Sequence, residues 1–245
     1  MTPRGFRVGP QRAVSVVIPV HDGERYLGEA IESVLGQTAP PFETIVVDDG
    51  STDASAAVAE RYAPRVRVCS QPNAGIGAAR NRGVSLAQGD HVAFLDADDL
   101  WEPRKLELQL TAMAAEPGPD IVLGHVRQFV DPSLDAEAAA RIACPAGLQP
   151  GYLAGAVLAR RDAIERVGPF REDLRVGEFV DWMARARDLG LCEAMLPDHV
   201  LSRRLHDANQ SVTQRARAGD FVRVAKANLD RRRAAAAADP DTGVE

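Results

Sequence analysis

Short apolar runs alternate with helical segments from residue 14 onward, and this alternation most limits the folds open to the chain. The run VSVVIPV at 14–20 precedes YLGEAIESVLGQ at 26–37, where apolar side chains recur at helical spacing. The same order repeats at 43–48 and 54–63, and again at 65–70 and 75–88. Strands joined by helices in this way form a mostly parallel sheet with helices on both faces, so an α/β fold is expected.

Two of the predicted strands end in acidic turns. HVAFLDADD at 91–99 runs from apolar residues directly into Asp96, Asp98 and Asp99, and VVDDGSTD at 46–53 is the second such turn. Carboxylates packed this closely repel one another, so a site that keeps them usually supplies a cation. Oxygen ligands suit Mg²⁺ or Mn²⁺, which in turn bind nucleotide phosphates. The alternative is a solvated turn whose acids cap the next helix.

Composition excludes some classes of function. A net charge of -6 and a pI near 5.5 argue against a nucleic-acid-binding protein, which needs a basic face. The cysteines, at positions 69, 144 and 192, are odd in number and lack CxxC spacing, so we expect reduced core thiols in a cytoplasmic protein. No stretch approaches the roughly 20 apolar residues of a membrane span.

Several motifs in fixed order give the chain a family resemblance. They are VSVVIPVHDGERYLGEAIESVLGQT, ETIVVDDGSTD, NAGIGAARNRG, GDHVAFLDADDLWEPRKLELQ and ERVGPFREDL. Together they resemble the family-2 glycosyltransferases, which have the GT-A fold, over about residues 13–205. The resemblance implies transfer of a sugar from a nucleotide-sugar donor to an acceptor hydroxyl, with inversion. UDP is the expected nucleotide, and Mn²⁺ or Mg²⁺ the expected cofactor.

The resemblance also implies a donor site. The residues expected to bind the nucleotide-sugar are Pro19, Val20, His21, Asp22, Glu24, Asp49, Asn73, Gly75, Arg80, Asp96, Ala97 and Asp98. The expected metal ligands are Asp98, Asp99 and His206. His206 lies on a predicted loop where Arg203 and Arg204 could meet the diphosphate. A hydrogen-bonded surface histidine is the alternative for His206.

The sequence leaves the identity of the catalytic base open. Inverting members often use the Asp of a Glu-Asp pair, but here Phe179 follows Glu178. Glu178 is the first candidate and Asp181 the second, at i+3 on the same helical face. The alternative is that both acids only place negative charge at a helix N-terminus, where it interacts favourably with the helix dipole. Trp101 and Trp182 could stack on a sugar, although core packing is the more common use of tryptophan.

The chain divides into four parts by composition. We expect a flexible lead-in at 1–12, a GT-A domain at 13–213, a basic helix at 214–233 and a disordered tail at 234–245. The basic helix could dock peripherally on anionic lipid at the inner membrane face, or pack on its own domain. The acceptor could be a saccharide, a peptide or a small molecule, and no nucleic-acid partner is expected.

Three other functions compete with this interpretation. Gly75-x-Gly77-x-x-Arg80 with Asp96 beyond it partly matches a dinucleotide fingerprint, but Arg80 stands where the third glycine belongs. A sugar nucleotidyltransferase should carry a glycine-rich basic loop where this chain has PVHDGERY. A degenerate nucleotide-sugar-binding module stays open, because the Glu-Asp pair is missing.

Overall fold

The structure is a computed structural model that describes residues 14–207 and 218–238. The expected lead-in at 1–12 and residues 239–245 of the expected tail lie outside the described residues.

One mixed sheet forms the centre of the molecule. Its strands are β1 (Val14–Val20), β2 (Glu43–Asp48), β3 (Val66–Ser70), β4 (His91–Phe94), β5 (Leu100–Trp101), β6 (Ile121–Val130), β7 (Leu148–Pro150), β8 (Leu158–Arg160) and β9 (Glu193–Leu205). Their order is β3-β2-β1-β4-β8-β6-β9-β5, with β7 beside β6. Strands β1 to β4 are parallel, as are β6 and β9, whereas β8, β7 and β5 run antiparallel to their neighbours. The expected mostly parallel sheet is therefore confirmed, with antiparallel strands added.

Helices cover both faces of this sheet. They are α1 (Leu27–Leu35), α2 (Ser55–Glu60), α3 (Ile76–Leu86), α4 (Lys105–Met113), α5 (Ala136–Ala140), α6 (Arg161–Val167), α7 (Glu178–Asp188) and α8 (Ala218–Ala238), with a 3₁₀ turn at Ala154–Ala156. Strand β1 is buried along its whole length. Val16 and Ile18 pack in a core with α1, α2 and α4, and Val17 packs in a second core with α3, α6 and α7. Burial on both faces explains why β1 is almost entirely apolar, and its one polar side chain, Ser15, donates a hydrogen bond to Glu43 at 2.6 Å.

Strand β9 corrects the expected loop around Arg203. Residues 201–205 are the end of this 13-residue strand, which pairs with β6 on one side and with β5 on the other. Its sequence hides it, because Pro197 and Asp198 interrupt the apolar pattern and its pairing with β6 is irregular near His125. β9 runs parallel to β6, so its carboxyl end reaches the same edge of the sheet as the acidic turns.

Helix α8 packs on its own domain. Arg231 pairs with Asp181 at 3.3 Å and with Asp188 at 3.2 Å on α7, and Val224 is buried. The helix runs to Ala238, past the predicted end at residue 233, while residues 214–217 lie outside the described residues. Internal ion pairs of this kind favour the packed helix over lipid docking.

Two further observations concern the cysteines and membrane-spanning helices. Cys69 is half-buried and Cys144 and Cys192 are exposed, all three unpaired, so the prediction of core thiols is wrong. Among the described residues, no helix has the length and apolar character needed to cross a membrane.

Candidate active site

A cleft of about 510 Å³ opens where β1, β2, β4 and β9 end. Twelve of the residues predicted for the site line it: Pro19, Val20, His21, Asp22, Asp49, Asn73, Gly75, Asp96, Ala97, Asp98, Asp99 and His206. Residues that the sequence did not single out also line it: Gly23, Arg25, Tyr26, Ile76, Ala79, Arg175 and Asp207. Parallel strands bring their carboxyl ends to one edge, so segments far apart in sequence meet there.

Asp49 shapes one wall of the cleft. Its buried carboxylate accepts hydrogen bonds from the Ala74 amide at 2.9 Å and the Gly75 amide at 2.8 Å, which fixes the turn into α3. Gly75 has a φ of +95°, a conformation that favours glycine. His21 Nδ1 lies 3.0 Å from the Asp49 carbonyl oxygen, and Asn73 Nδ2 lies 3.0 Å from His21 Nε2. The wall therefore presents an imidazole and an amide that are already oriented.

Arg80 lies beneath the cleft rather than in it. Its guanidinium is 2% exposed and donates to Asp96 Oδ1 at 2.6 Å and to the Glu178 carboxylate. Burial opposes the charged form, but the two carboxylates raise the pKa of Arg80 above its usual value. The predicted contact between Arg80 and the nucleotide is thus replaced by a supporting role, in which Arg80 fixes the carboxylate of Asp96 at the cleft floor.

The acidic turn meets the end of β9. Pairing of β5 with β9 brings His206 Nε2 to 3.1 Å from Asp98 Oδ2. Asp99 is buried and accepts a hydrogen bond from the Arg204 amide at 2.9 Å. Burial and the nearby charges of Asp98 and Asp96 raise the pKa of Asp99 well above its usual range. No three His, Cys, Asp or Glu side chains in the described part of the chain are grouped to hold a metal, which corrects the predicted set that included Asp99.

Asp98 and His206, the two other predicted ligands, still fit a divalent cation. Mg²⁺ commonly binds one or two protein carboxylates and takes its other ligands from water and substrate phosphates, and Mn²⁺ has similar preferences. Asp98 and His206 would hold the ion. Burial is the main cause of the raised pKa of Asp99, and the charges of Asp98 and Asp96 add to it, so a cation beside these acids would be favoured electrostatically.

Three predicted site residues face away from the cleft. Glu24 accepts a hydrogen bond from the Ala54 amide at 2.8 Å, at the start of α2. Trp101 is buried and donates from Nε1 to the Gly155 carbonyl oxygen at 2.8 Å. Trp182 is also buried and donates to the Gly168 carbonyl oxygen at 3.1 Å. The predicted sugar stacking by either tryptophan is therefore wrong, because both rings belong to the core.

Neither predicted base faces the cleft. Glu178 is buried and forms the ion pair with Arg80. Asp181 is fully buried and is held by Arg185 at 2.8 Å and Arg231 at 3.3 Å. Both carboxylates are engaged by guanidinium groups, so the structure presents neither to an acceptor hydroxyl.

A cluster around Tyr26 supports the opposite side of the cleft. The buried Arg204 guanidinium lies 4.7 Å from the Tyr26 ring and 2.5 Å from Glu29, so it does not reach the diphosphate position predicted for it, whereas Arg203 lines the cleft. Tyr26 donates a hydrogen bond to Asp131, and its ring centroid lies 4.8 Å from that of His206. The sequence offered no sign of this cluster, because its members come from α1, β9 and the end of β6.

Comparison with known proteins settles the family. The profile described as Glycosyl transferase family 2 matches residues 15–167, more than half of the chain. The chain belongs to this family. This match confirms the family-2 resemblance that the motifs predicted.

Curated glycosyltransferases are similar to about half of the chain. A putative glycosyltransferase, EpsH, of Bacillus subtilis is 38% identical over 122 residues, which is 49% of this chain and 35% of that protein. An uncharacterized glycosyltransferase, YibD, of Escherichia coli is 42% identical over 111 residues, which is 44% of this chain and 32% of that protein. The chain thus spans about a third of the length of these curated relatives.

Solved structures confirm the GT-A-type fold. The S. aureus TarS 1-349 complex with UDP-GlcNAc superposes with a TM-score of 0.67 at 22% identity, over 82% of this chain and 61% of TarS. The TarS 1-349 complex with UDP gives a TM-score of 0.64 at 22% identity, over 79% and 60% of the two chains. At this identity the likeness establishes the fold alone.

Proposed function

We propose that this family-2 protein is a metal-dependent hexosyltransferase, which moves a sugar from a UDP-sugar to an acceptor hydroxyl with inversion. The observation that carries the proposal is the pairing of Asp98 with His206 at 3.1 Å, beside Asp96, at the floor of a cleft at the carboxyl ends of the strands. Family membership and the binding of UDP and UDP-GlcNAc by the TarS structures support the choice of donor.

The cleft provides separate places for the parts of such a donor. The wall of His21, Asn73 and Asp49 offers oriented polar groups for the base. Asp96, fixed by Arg80, and the Asp98–His206 pair lie across the floor, where the ribose and diphosphate would bind. A divalent cation, when bound by Asp98 and His206, supplies neutralisation of the charge that grows on the leaving diphosphate.

Proton removal from the acceptor requires a base. We favour Glu178 over Asp181, because Glu178 connects through Arg80 to the cleft acid Asp96, whereas Asp181 joins α7 to α8. Glu178 would have to leave its ion pair with Arg80 when donor and acceptor bind.

A second function follows from the positions of these two acids. Since neither faces the cleft, the protein could bind a nucleotide-sugar without transferring it. Turnover of the donor separates the two functions, because a binding module releases no UDP.

Calorimetric titration of UDP, GDP and dTDP, each with and without Mn²⁺, tests the donor site. We expect Mn²⁺-dependent binding of UDP by the wild type and loss of this binding in Asp98→Ala. Asp230→Ala, which changes an exposed acid on α8, is the matched control and should bind as the wild type does. Failure of the wild type to bind any of the three nucleotides would overturn the assignment.

The acceptor and the location follow as further parts of the proposal. We propose a hydroxyl of a saccharide, a peptide or a small molecule as the acceptor, at the cytoplasmic side. The basic residues of α8 that pair with α7 acids make a lipid contact through this helix a minor alternative.

A further inference from the structure

The loop at 171–177, between α6 and α7, brings an arginine to the cleft. Arg175 lines the cleft together with Asp98 and His206. Within residues 14–207 and 218–238 the Arg175 guanidinium has no hydrogen bond, ion pair or ring contact. Arg25, which also lines the cleft, instead pairs with Asp131 at 3.4 Å. Arg175 therefore brings to the cleft a guanidinium that no described side chain engages.

Helix α8 fixes the backbone of this loop. Asp220 Oδ2 accepts hydrogen bonds from the Arg175 amide at 3.0 Å and from the Val176 amide at 3.4 Å. Arg223 donates to the Asp173 carbonyl oxygen at 3.2 Å and pairs with the Asp173 carboxylate. The loop and the first two turns of α8 therefore form one hydrogen-bonded unit.

Packing adds to these polar contacts. Gly177 ends the loop with a φ of +83°, and a Cβ at this position would lie 3.4 Å from the Phe221 ring of α8. The positive φ favours glycine, and the 3.4 Å distance is an ordinary van der Waals contact, so the end of the loop packs directly against α8. The position of Arg175 at the cleft thus depends on a helix that lies outside the part of the chain matched by the family.

The charge of the cleft explains what such an arginine would do. Six aspartates line it: Asp22, Asp49, Asp96, Asp98, Asp99 and Asp207. A phosphate group entering this field would be repelled unless cations compensate. A guanidinium presents planar, paired N–H donors that match two phosphate oxygens.

We infer that Arg175 binds a phosphate of the nucleoside diphosphate in the cleft, and that Asp220 is a positioning residue that holds Arg175 there. The inference rests on the proposed function and adds to it a residue for the diphosphate. It also gives α8 a role in donor binding.

Calorimetric titration of UDP in the presence of Mn²⁺ tests the role of Arg175. We expect Arg175→Gln to bind UDP about tenfold more weakly than the wild type, the effect of losing a charge-assisted hydrogen bond. Arg232→Gln, on the exposed side of α8 and paired with Asp188, is the matched control and should bind normally. Equal affinity of Arg175→Gln and the wild type would overturn the inference alone, whereas absence of binding by the wild type would overturn the proposed function as well.

A double-mutant cycle tests whether Asp220 acts through Arg175. Asp220→Ala should weaken UDP binding several-fold in the wild type, with no further loss in Arg175→Gln. Asp220→Asn, which keeps one oxygen to accept the amide hydrogen bonds, should restore most of the affinity, and Asp230→Ala on the same helix should change nothing. Thermal unfolding of each variant checks that it is folded. An equal loss from Asp220→Ala in both backgrounds would show that Asp220 acts on stability and not through Arg175.

Discussion

At the scale of single residues, the buried charged side chains of this protein are held by specific polar partners. Arg80, Lys105, Asp131 and Asp181 are buried, and each has a polar partner. The sequence identified Asp96 and Asp98 because they follow an apolar strand. It gave no sign that Arg80 pairs with Glu178, since an ion pair between residues 98 positions apart leaves no local pattern.

Asp131 should make stability depend on acid pH. Burial alone would raise its pKa, but hydrogen bonds from Tyr26 and Ser133 and the charge of Arg25 lower the pKa to about 2. A carboxylate with a lowered pKa stabilises the fold at pH values above its usual pKa of 3.8. This contribution is lost as the pH falls through the pKa of the folded state. The wild type should therefore lose up to about 2 kcal/mol relative to Asp131→Asn between pH 4 and pH 2.

Urea unfolding of both proteins across this range measures the difference. A constant difference in the free energy of unfolding from pH 5 to pH 2 would contradict the lowered pKa of Asp131.

Lys105 should make stability depend on alkaline pH. Its ammonium group is fully buried against the Trp101 ring at 4.0 Å and donates to Gln109 at 2.7 Å, and burial lowers its pKa well below 10.5. Between the lowered pKa and 10.5 the unfolded chain binds the extra proton, so stability rises with pH. The free energy of unfolding of the wild type should rise relative to Lys105→Met as pH increases from 7 toward 10.

Chemical unfolding at several pH values provides this comparison. Parallel curves for the wild type and Lys105→Met would show that Lys105 keeps an ordinary pKa in the folded protein.

At the scale of helices and strands, periodicity predicted the first half of the fold well. The strands β1 to β4 and the helices α1 to α3 lie where apolar spacing placed them, because each buries a regular face. Strand β9 was missed, since its polar residues alternate irregularly and its stability comes from pairing with β6 and β5. The missed strand carries Arg203 and leads into His206, so the sequence could not show how these two side chains are brought to the acidic turn.

The contact between α7 and α8 gives a prediction at this scale. Asp181 is fully buried between Arg185 and Arg231, and removing its charge would take the carboxylate partner from Arg185, whereas Arg231 would keep Asp188. Asp181→Asn should lower the free energy of unfolding by about 3 kcal/mol. It should also speed hydrogen exchange in α8. Asp188→Asn, which is less buried, serves as the control and should have a smaller effect.

Donor turnover by the same variant separates its two possible roles. If Asp181 joins the helices, Asp181→Asn keeps turnover at temperatures where it is folded. Loss of turnover in a folded variant with unchanged stability would instead identify Asp181 as the base.

At the scale of the whole molecule, the site joins the family region to the rest of the chain. The acidic turn and the cleft wall of His21, Asp49 and Asn73 lie within the matched residues 15–167. His206, Arg175 and α8 lie beyond them. An acidic protein with a net charge of -6 can bind an anionic donor only where arginines and a cation compensate locally. The sequence predicted the acidic turns and His206 for the site, and the structure adds Arg175 and the contact of its loop with α8.

Release of UDP from UDP-hexoses tests the central claim most directly. A panel that includes UDP-glucose and UDP-GlcNAc would be incubated with Mn²⁺ and the wild type or Asp98→Ala, and free UDP would be quantified over time. We predict that the wild type releases UDP from at least one donor, even when water is the acceptor, and that Asp98→Ala reduces the rate at least about 100-fold. A wild-type protein that binds UDP but releases none from any donor would contradict the transferase assignment and identify a nucleotide-sugar-binding module.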